Sequence, residues 1–143
     1  MQGLDYREGL NAVQVSGGVA GNVIPDAAAL HVNYRFAPNK TLDEAVAHVQ
    51  ELFQGYELDF VNLSPAARPG LDTPLAASLI AAVGQEPQPK YGWTDVARLS
   101  EIGIPAVNFG PGDALLAHTD NEHVRFSELN RCYSELRNWL MSD

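Results

Sequence analysis

Seven residues, Ser64-Pro65-Ala66-Ala67-Arg68-Pro69-Gly70, divide this 143-residue chain more sharply than any other feature in it. Two prolines and a glycine so close together cannot continue a helix or a sheet ladder: proline lacks the backbone donor, and glycine resists ordering. The apolar pattern differs on the two sides. Before the break it reads strand, strand, helix, strand; after it, helix, strand, helix. The expected fold class is α/β made of α+β pieces, with residues 1–66 and 67–143 as its two parts.

In the first part, Leu10 to Val15 is a β-rich run that ends at the Gly17-Gly18 turn signal. From Ala27 to Phe36, the residues Leu30, Val32, Tyr34 and Phe36 alternate with His31, Asn33 and Arg35, the period of a half-buried strand. Thr41-Leu42-Asp43-Glu44 has capping-box spacing, and Leu42, Ala45, Val46, Val49, Leu52 and Phe53 follow at helical intervals up to Gly55. Leu58 to Leu63 reads as a further strand.

In the second part, Thr73-Pro74 is a cap with proline at the first helical position, and Leu75, Leu79, Ile80 and Val83 fill one face before Gly84. Thr94 is placed to cap a short helix that turns Val96, Leu99 and Ile102 inward and stops at Gly103. Ile104 to Phe109 reads as a buried strand, ended by Gly110-Pro111-Gly112. Ser127 opens a last helix with Leu129, Cys132, Tyr133, Leu136 and Leu140 as its inward stripe.

Charge narrows the partners. A formal net charge of −9 repels nucleic acid and anionic lipid, so neither is an expected partner, and an anionic substrate has to be held by a local Arg or a metal. No apolar run reaches the roughly 20 residues of a membrane helix, and residues 1–8 do not read as a secretory leader. The single cysteine, Cys132, excludes an internal disulfide and suits a reducing cytoplasm, the expected location.

Three places could carry chemistry. The first is the loop after the Gly-Pro-Gly turn, with His118, Thr119, Asp120, Asn121, Glu122 and His123. A neutral imidazole there is a candidate zinc ligand, although spacing alone favours an ordinary polar surface loop. Catalytic zinc needs at least three protein ligands, and nothing earlier in the chain supplies a convincing set. The second is Tyr91-Gly92-Trp93-Thr94-Asp95, where backbone N–H groups and the Thr94 hydroxyl could meet a carboxylate; plain N-capping by Thr94 is the simpler reading. The third is Arg35 with His31 and Asn33 on one strand face, and Asn22 beside it. Arginine suits planar, bidentate carboxylate contacts, but a lone strand Arg is more often a solvated face. Cys132 reads as core rather than as a nucleophile.

In order, Gly21-Asn22-Val23-Ile24-Pro25, Asn33-Tyr34-Arg35-Phe36, Gly92-Trp93-Thr94-Asp95, Gly103 to Gly112 and Ala117-His118-Thr119 together resemble one family. It is the family of zinc-dependent peptidases and amidohydrolases that includes desuccinylases, deacetylases, aminoacylases and carboxypeptidase relatives. The likeness covers nearly the whole chain and leans toward the desuccinylase branch through Tyr91 to Arg98.

The resemblance implies a catalytic α/β domain interrupted by a lid domain that forms a homodimer, with residues 1–66 in the lid and 67–143 at the end of the catalytic domain. It implies two zinc ions, or cobalt in their place, and a small anionic substrate. His118 matches a terminal metal ligand. Asn22 and Arg35 match lid contacts to the substrate's carboxylate end, and Gly92 and Thr94 match the loop that lines the pocket. The family's remaining ligands and its general-base Glu have no counterpart here. The chain is therefore expected to be inactive alone and to expose apolar surface.

Overall fold

Strands β1 (Gly9–Gly17) and β2 (Ala28–Arg35) form an antiparallel pair in the computed structural model, which describes residues 1–142. The register runs from Gly9 opposite Arg35 to Gly17 opposite Ala28, with one irregularity at Val13, between Ala12 and Gln14. One extra residue there moves every later side chain of β1 to the other face. Leu10, Ala12 and Val15 consequently lie opposite Tyr34, Val32 and Leu30 on one face, while Asn11 and Gln14 lie opposite Asn33 and His31 on the other. A sequence with no clean alternation of its own in β1 thus makes a sheet with one apolar and one polar face.

Helix α1 (Leu42–Leu52) starts as its sequence dictates: Glu44 N–H donates to the Thr41 hydroxyl, and Thr41 N–H donates to the Glu44 carboxylate. The helix meets the apolar sheet face through His48, whose ring lies 5.4 Å from that of Tyr34. Glu8 ties the same corner together. Its carboxylate accepts from Lys40 Nζ at 2.6 Å, from the Tyr34 hydroxyl at 2.9 Å and from Ala37 N–H at 3.1 Å. Burial acts to raise the Glu8 pKa, but the combined donors from Lys40, Ala37 and Tyr34 outweigh it and hold the carboxyl below its ordinary value. A depressed carboxylate stabilises the fold above its unfolded pKa and loses that contribution as pH falls through the folded value. Glu8→Gln is therefore expected to lower stability by about 1 kcal/mol at neutral pH, where the carboxylate is one-third exposed. The gap between the two proteins should close below pH 4.5, read as urea midpoints across the acidic range. A gap that stays constant with pH would rule out the ionised carboxylate as its source.

Residues 58–63 form no strand, contrary to expectation; they run as coil without a ladder partner, and Val61 is 73% exposed. Ile104 to Phe109 is likewise coil, not a buried strand, and Ile104 is nearly half exposed. A strand exists only by hydrogen-bonding a neighbour, and among the described residues the sheet has two strands, which pair with each other.

The remaining helices are α2 (Pro74–Val83), α3 (Val96–Glu101) and α4 (Phe126–Met141), with a 3₁₀ turn at Ala114–Leu116. Helix α2 begins on the Thr73 hydroxyl and ends at left-handed Gly84. It packs on α4, where Trp139 Nε1–H donates to Ser78 Oγ at 2.8 Å. Helix α4 starts after Arg125, so Ser127 lies one residue inside it and caps nothing.

The expected inward stripes are mostly open. In α4 only Cys132 is buried, while Leu129, Tyr133 and Leu140 are exposed; in α3 the buried residue is Ala97, with Leu99 and Ile102 outside. Leu75 of α2 is exposed as well. The buried hydrophobic side chains are Ala45, Ala76, Ala97 and Cys132, all small. The accessible surface is 11177 Å². A folded monomer of this mass has about 7,200 Å², so about 4,000 Å² more is open than a self-sufficient core leaves.

Candidate carboxylate site

The hairpin meets the second part of the chain at the end that carries Arg35. Arg35, the last residue of β2, donates from Nε to Asn33 Oδ1 at 3.2 Å and from Nη1 to the Tyr91 carbonyl at 3.4 Å. These two bonds steady the guanidinium and use only part of its five donors. Tyr91 is held from behind: its hydroxyl donates to the Asp5 carbonyl at 3.0 Å, and its ring meets Tyr6 edge-on at 6.4 Å. Burial, and then the neighbouring Tyr91, raise the Tyr6 hydroxyl pKa.

Past Tyr91 the chain passes through Gly92, Trp93 and Thr94 into α3. Thr94 does not cap that helix. Asp95 takes the N-cap position in a helical conformation with no side-chain bond, and the Thr94 hydroxyl instead accepts from Asn108 Nδ2 at 3.2 Å. Arg98 lies 5.9 Å from the Trp93 ring centre, holding that ring beside α3. Gly103 ends α3 in the left-handed region, with Gly103 N–H on Ser100 O and Ile104 N–H on Leu99 O. That paired closure folds the chain back, so that Asn108 returns to Thr94.

Arg35, Gly92, Thr94 and Asn108 are among the many residues along one long cleft of about 1330 Å³, which also runs beneath α1. His31 and Asn33 line it too, on the strand face that Arg35 shares. Three of the residues singled out from sequence therefore fall in one region, Arg35 beside the Tyr91–Thr94 segment. Two do not. Asn22 sits in the turn closed by Val23 N–H on Ala20 O, at the tip of the hairpin, not beside Arg35. β2 runs seven residue steps, about 23 Å, from Ala28 at the connection to Arg35, because an antiparallel pair carries its connection at the end opposite Arg35.

His118 lies outside the cleft, in the loop between the 3₁₀ turn and α4. It adopts φ +64°, rare for a residue with a side chain, and its backbone N–H donates to Glu122 Oε2 at 2.9 Å. His123 Nδ1 is 2.7 Å from the Asn121 carbonyl. Glu122 and His123 are thus both engaged within their own loop. Among the described residues no three His, Cys, Asp or Glu side chains come together to hold a metal ion.

The side-chain roles of Glu8 and Asn108 have no signal in the sequence, and Tyr91 stands out there only as the start of the segment through Asp95, not for its own contacts. None stands in a spacing pattern, and each acts through a partner 14 or more positions away.

Comparison with known proteins gives these positions a context. Residues 4–59 match the model of a peptidase dimerisation domain. The whole chain is similar to part of a protein named as a putative succinyl-diaminopimelate desuccinylase in Mycobacterium tuberculosis: 48% identical, covering 98% of this chain and 40% of that one. The succinyl-diaminopimelate desuccinylase of Corynebacterium glutamicum is 44% identical over the same shares. A [LysW]-lysine/[LysW]-ornithine hydrolase of Saccharolobus islandicus is 29% identical over 80% of this chain and 35% of its own length. The chain spans about two fifths of the length of the desuccinylases it matches.

Proposed function

We propose, from the match of residues 4–59 to a peptidase dimerisation domain and the likeness of the chain to desuccinylases, that it is the lid and substrate-contact portion of a metal-dependent desuccinylase. The reaction is hydrolysis of N-succinyl-LL-diaminopimelate by one water to succinate and LL-diaminopimelate. The observation that carries the reading is an overall identity of 48% over 98% of the chain, a span that takes in both the hairpin and the Gly92–Thr94 segment. The converged donors support it: Arg35 supplies a charged fork and Thr94 a hydroxyl, the chemistry that a substrate carboxylate needs. Gly92 leaves the backbone open to close approach, since a Cβ there would meet only the end of Lys90. Asn22 matches a substrate-contact position but takes no part in this cluster.

The division is proposed at 66/67, with the lid before it and the end of the catalytic domain after it. A homodimer through residues 4–59 belongs to the same proposal. So does a cytoplasmic location; no helix is long and apolar enough to cross a membrane among the described residues. Two zinc ions, or cobalt, are the cofactors this reading brings. The described residues do not make such a centre between them. The part left to His118 is one ligand of a site whose other ligands lie in the three fifths of the relatives that this chain does not match.

A second reading keeps the domain and drops the chemistry: a dimerisation or small-molecule-binding module, favoured by the match to a dimerisation domain. Another deacylase of the family, such as an acetylornithine deacetylase, is the third. One experiment separates them. The chain replaces its counterpart in the Mycobacterium tuberculosis relative, and the chimera is assayed with zinc on N-succinyl-LL-diaminopimelate and N-acetylornithine. The 143-residue chain alone should be inactive and the chimera active, with the succinyl substrate preferred by about 100-fold or more. A folded, dimeric chimera that cleaves neither substrate would leave the binding module. Preference for the acetyl substrate would select the other deacylase.

A further inference from the structure

We propose that Asn108 is a positioning residue that sets the Thr94 hydroxyl as a donor, making the cleft selective for a ligand that accepts there. A threonine hydroxyl has one proton to give and two lone pairs to offer. Asn108 Nδ2 donates to Thr94 Oγ1 at 3.2 Å and so occupies a lone pair. The hydroxyl proton is then left for an acceptor in the cleft, which both side chains line. Arg35 lines that cleft as well and brings only donors. A carboxylate satisfies both groups. An ammonium is repelled by Arg35 and leaves the Thr94 proton without an acceptor, meeting only the hydroxyl's second lone pair.

The geometry that allows this comes from the end of α3. Ile104 N–H on Leu99 O, at 2.9 Å, and Gly103 N–H on Ser100 O, at 3.1 Å, reverse the chain after only six helical residues. Residues 104–109 then run back past the start of the helix as coil. Coil leaves Asn108 free of a strand's alternation, and its amide reaches Thr94 across 14 residues.

The proposal rests on the carboxylate reading of Arg35 and Thr94 given above. Its test uses the chimera described above, isotope-labelled at arginine and threonine, with succinate as the probe, followed by NMR shifts at Arg35 and Thr94. Asn108→Ala should weaken succinate binding several-fold by letting the hydroxyl rotate. Asn108→Asp should weaken it roughly tenfold or more, because the new carboxylate accepts the Thr94 proton and repels the ligand. In a Thr94→Val background, Asn108→Ala should have no further effect, a coupling that a merely structural role would not produce. Asn108 is exposed, so these variants should keep the parent's spectral dispersion. Succinate shifts at Arg35 that persist unchanged in every Asn108 variant, or an Asn108→Ala loss that is equal with and without the Thr94 hydroxyl, would overturn the proposal and leave the carboxylate reading standing. No shift at Arg35 or Thr94 in the parent chimera would overturn both.

Discussion

Replacing Arg35 by Ala in the chimera should lower kcat/KM for N-succinyl-LL-diaminopimelate by about 100-fold, roughly 2.7 kcal/mol of lost transition-state stabilisation. The loss should fall mainly on KM, because a carboxylate remote from the scissile amide is held equally in the ground and transition states. Arg35 is already steadied by Asn33 at 3.2 Å and by the Tyr91 carbonyl at 3.4 Å, so little side-chain freedom remains to be lost on binding. Arg35→Lys should recover only part of the activity, since a point charge cannot reproduce the planar fork. Asn33→Ala removes one steadying bond and should cost only about threefold. An unchanged KM in Arg35→Ala would remove the residue from substrate contact, whatever became of kcat.

The second large effect concerns surface. Alone, the chain should bind a hydrophobic dye such as anilinonaphthalene sulfonate and self-associate at micromolar concentration in sedimentation velocity. In the chimera the dye signal should fall several-fold. The cause is the excess of about 4,000 Å² over a self-sufficient fold, more than a standard protein–protein interface buries in total. Large apolar side chains lie open along or beside the helices: Leu129, Tyr133 and Leu140 along α4, Leu99 on α3 with Ile102 just past its end, and Val61 and Leu63 in the coil that follows α1. Exposed stripes at helical spacing are faces made to pack, not scattered surface residues. The same shortage of burial should give a urea m-value below that of an ordinary domain of this length, because m follows the area exposed on unfolding. A monomeric chain without dye binding would mean that these faces are covered in solution by contacts within the chain, and would count against the proposed function.

Local chemistry was legible wherever a few neighbouring residues settle the matter. Thr41 with Glu44 capped α1, Thr73-Pro74 opened α2, and Gly84 and Gly103 closed their helices in the left-handed region, because each device acts within one or two turns. The alternation of Leu30, Val32 and Tyr34 marked β2 for the same reason. Strands at Leu58–Leu63 and Ile104–Phe109 carried equally good apolar runs and did not form, since a run supplies the side chains of a strand but not the neighbour it must hydrogen-bond. The irregularity at Val13 was equally hidden: it depends on the pairing between two strands, not on either strand alone.

For the candidate site, residue type indicated what Arg35, Gly92 and Thr94 could do, but not that they would meet. The antiparallel hairpin put Arg35 at the end facing Tyr91 and sent Asn22 to the other. The reversal after α3 brought Asn108 to Thr94 and turned an expected helix cap into a side-chain pair. Sequence alone determined the caps, the stops, the net charge and the donor or acceptor character of each side chain, because these follow from covalent structure and from neighbours a few residues apart. Only the tertiary structure decided which strands exist, which faces stay open and which distant donors share a cleft, because each depends on contacts between residues far apart in the chain.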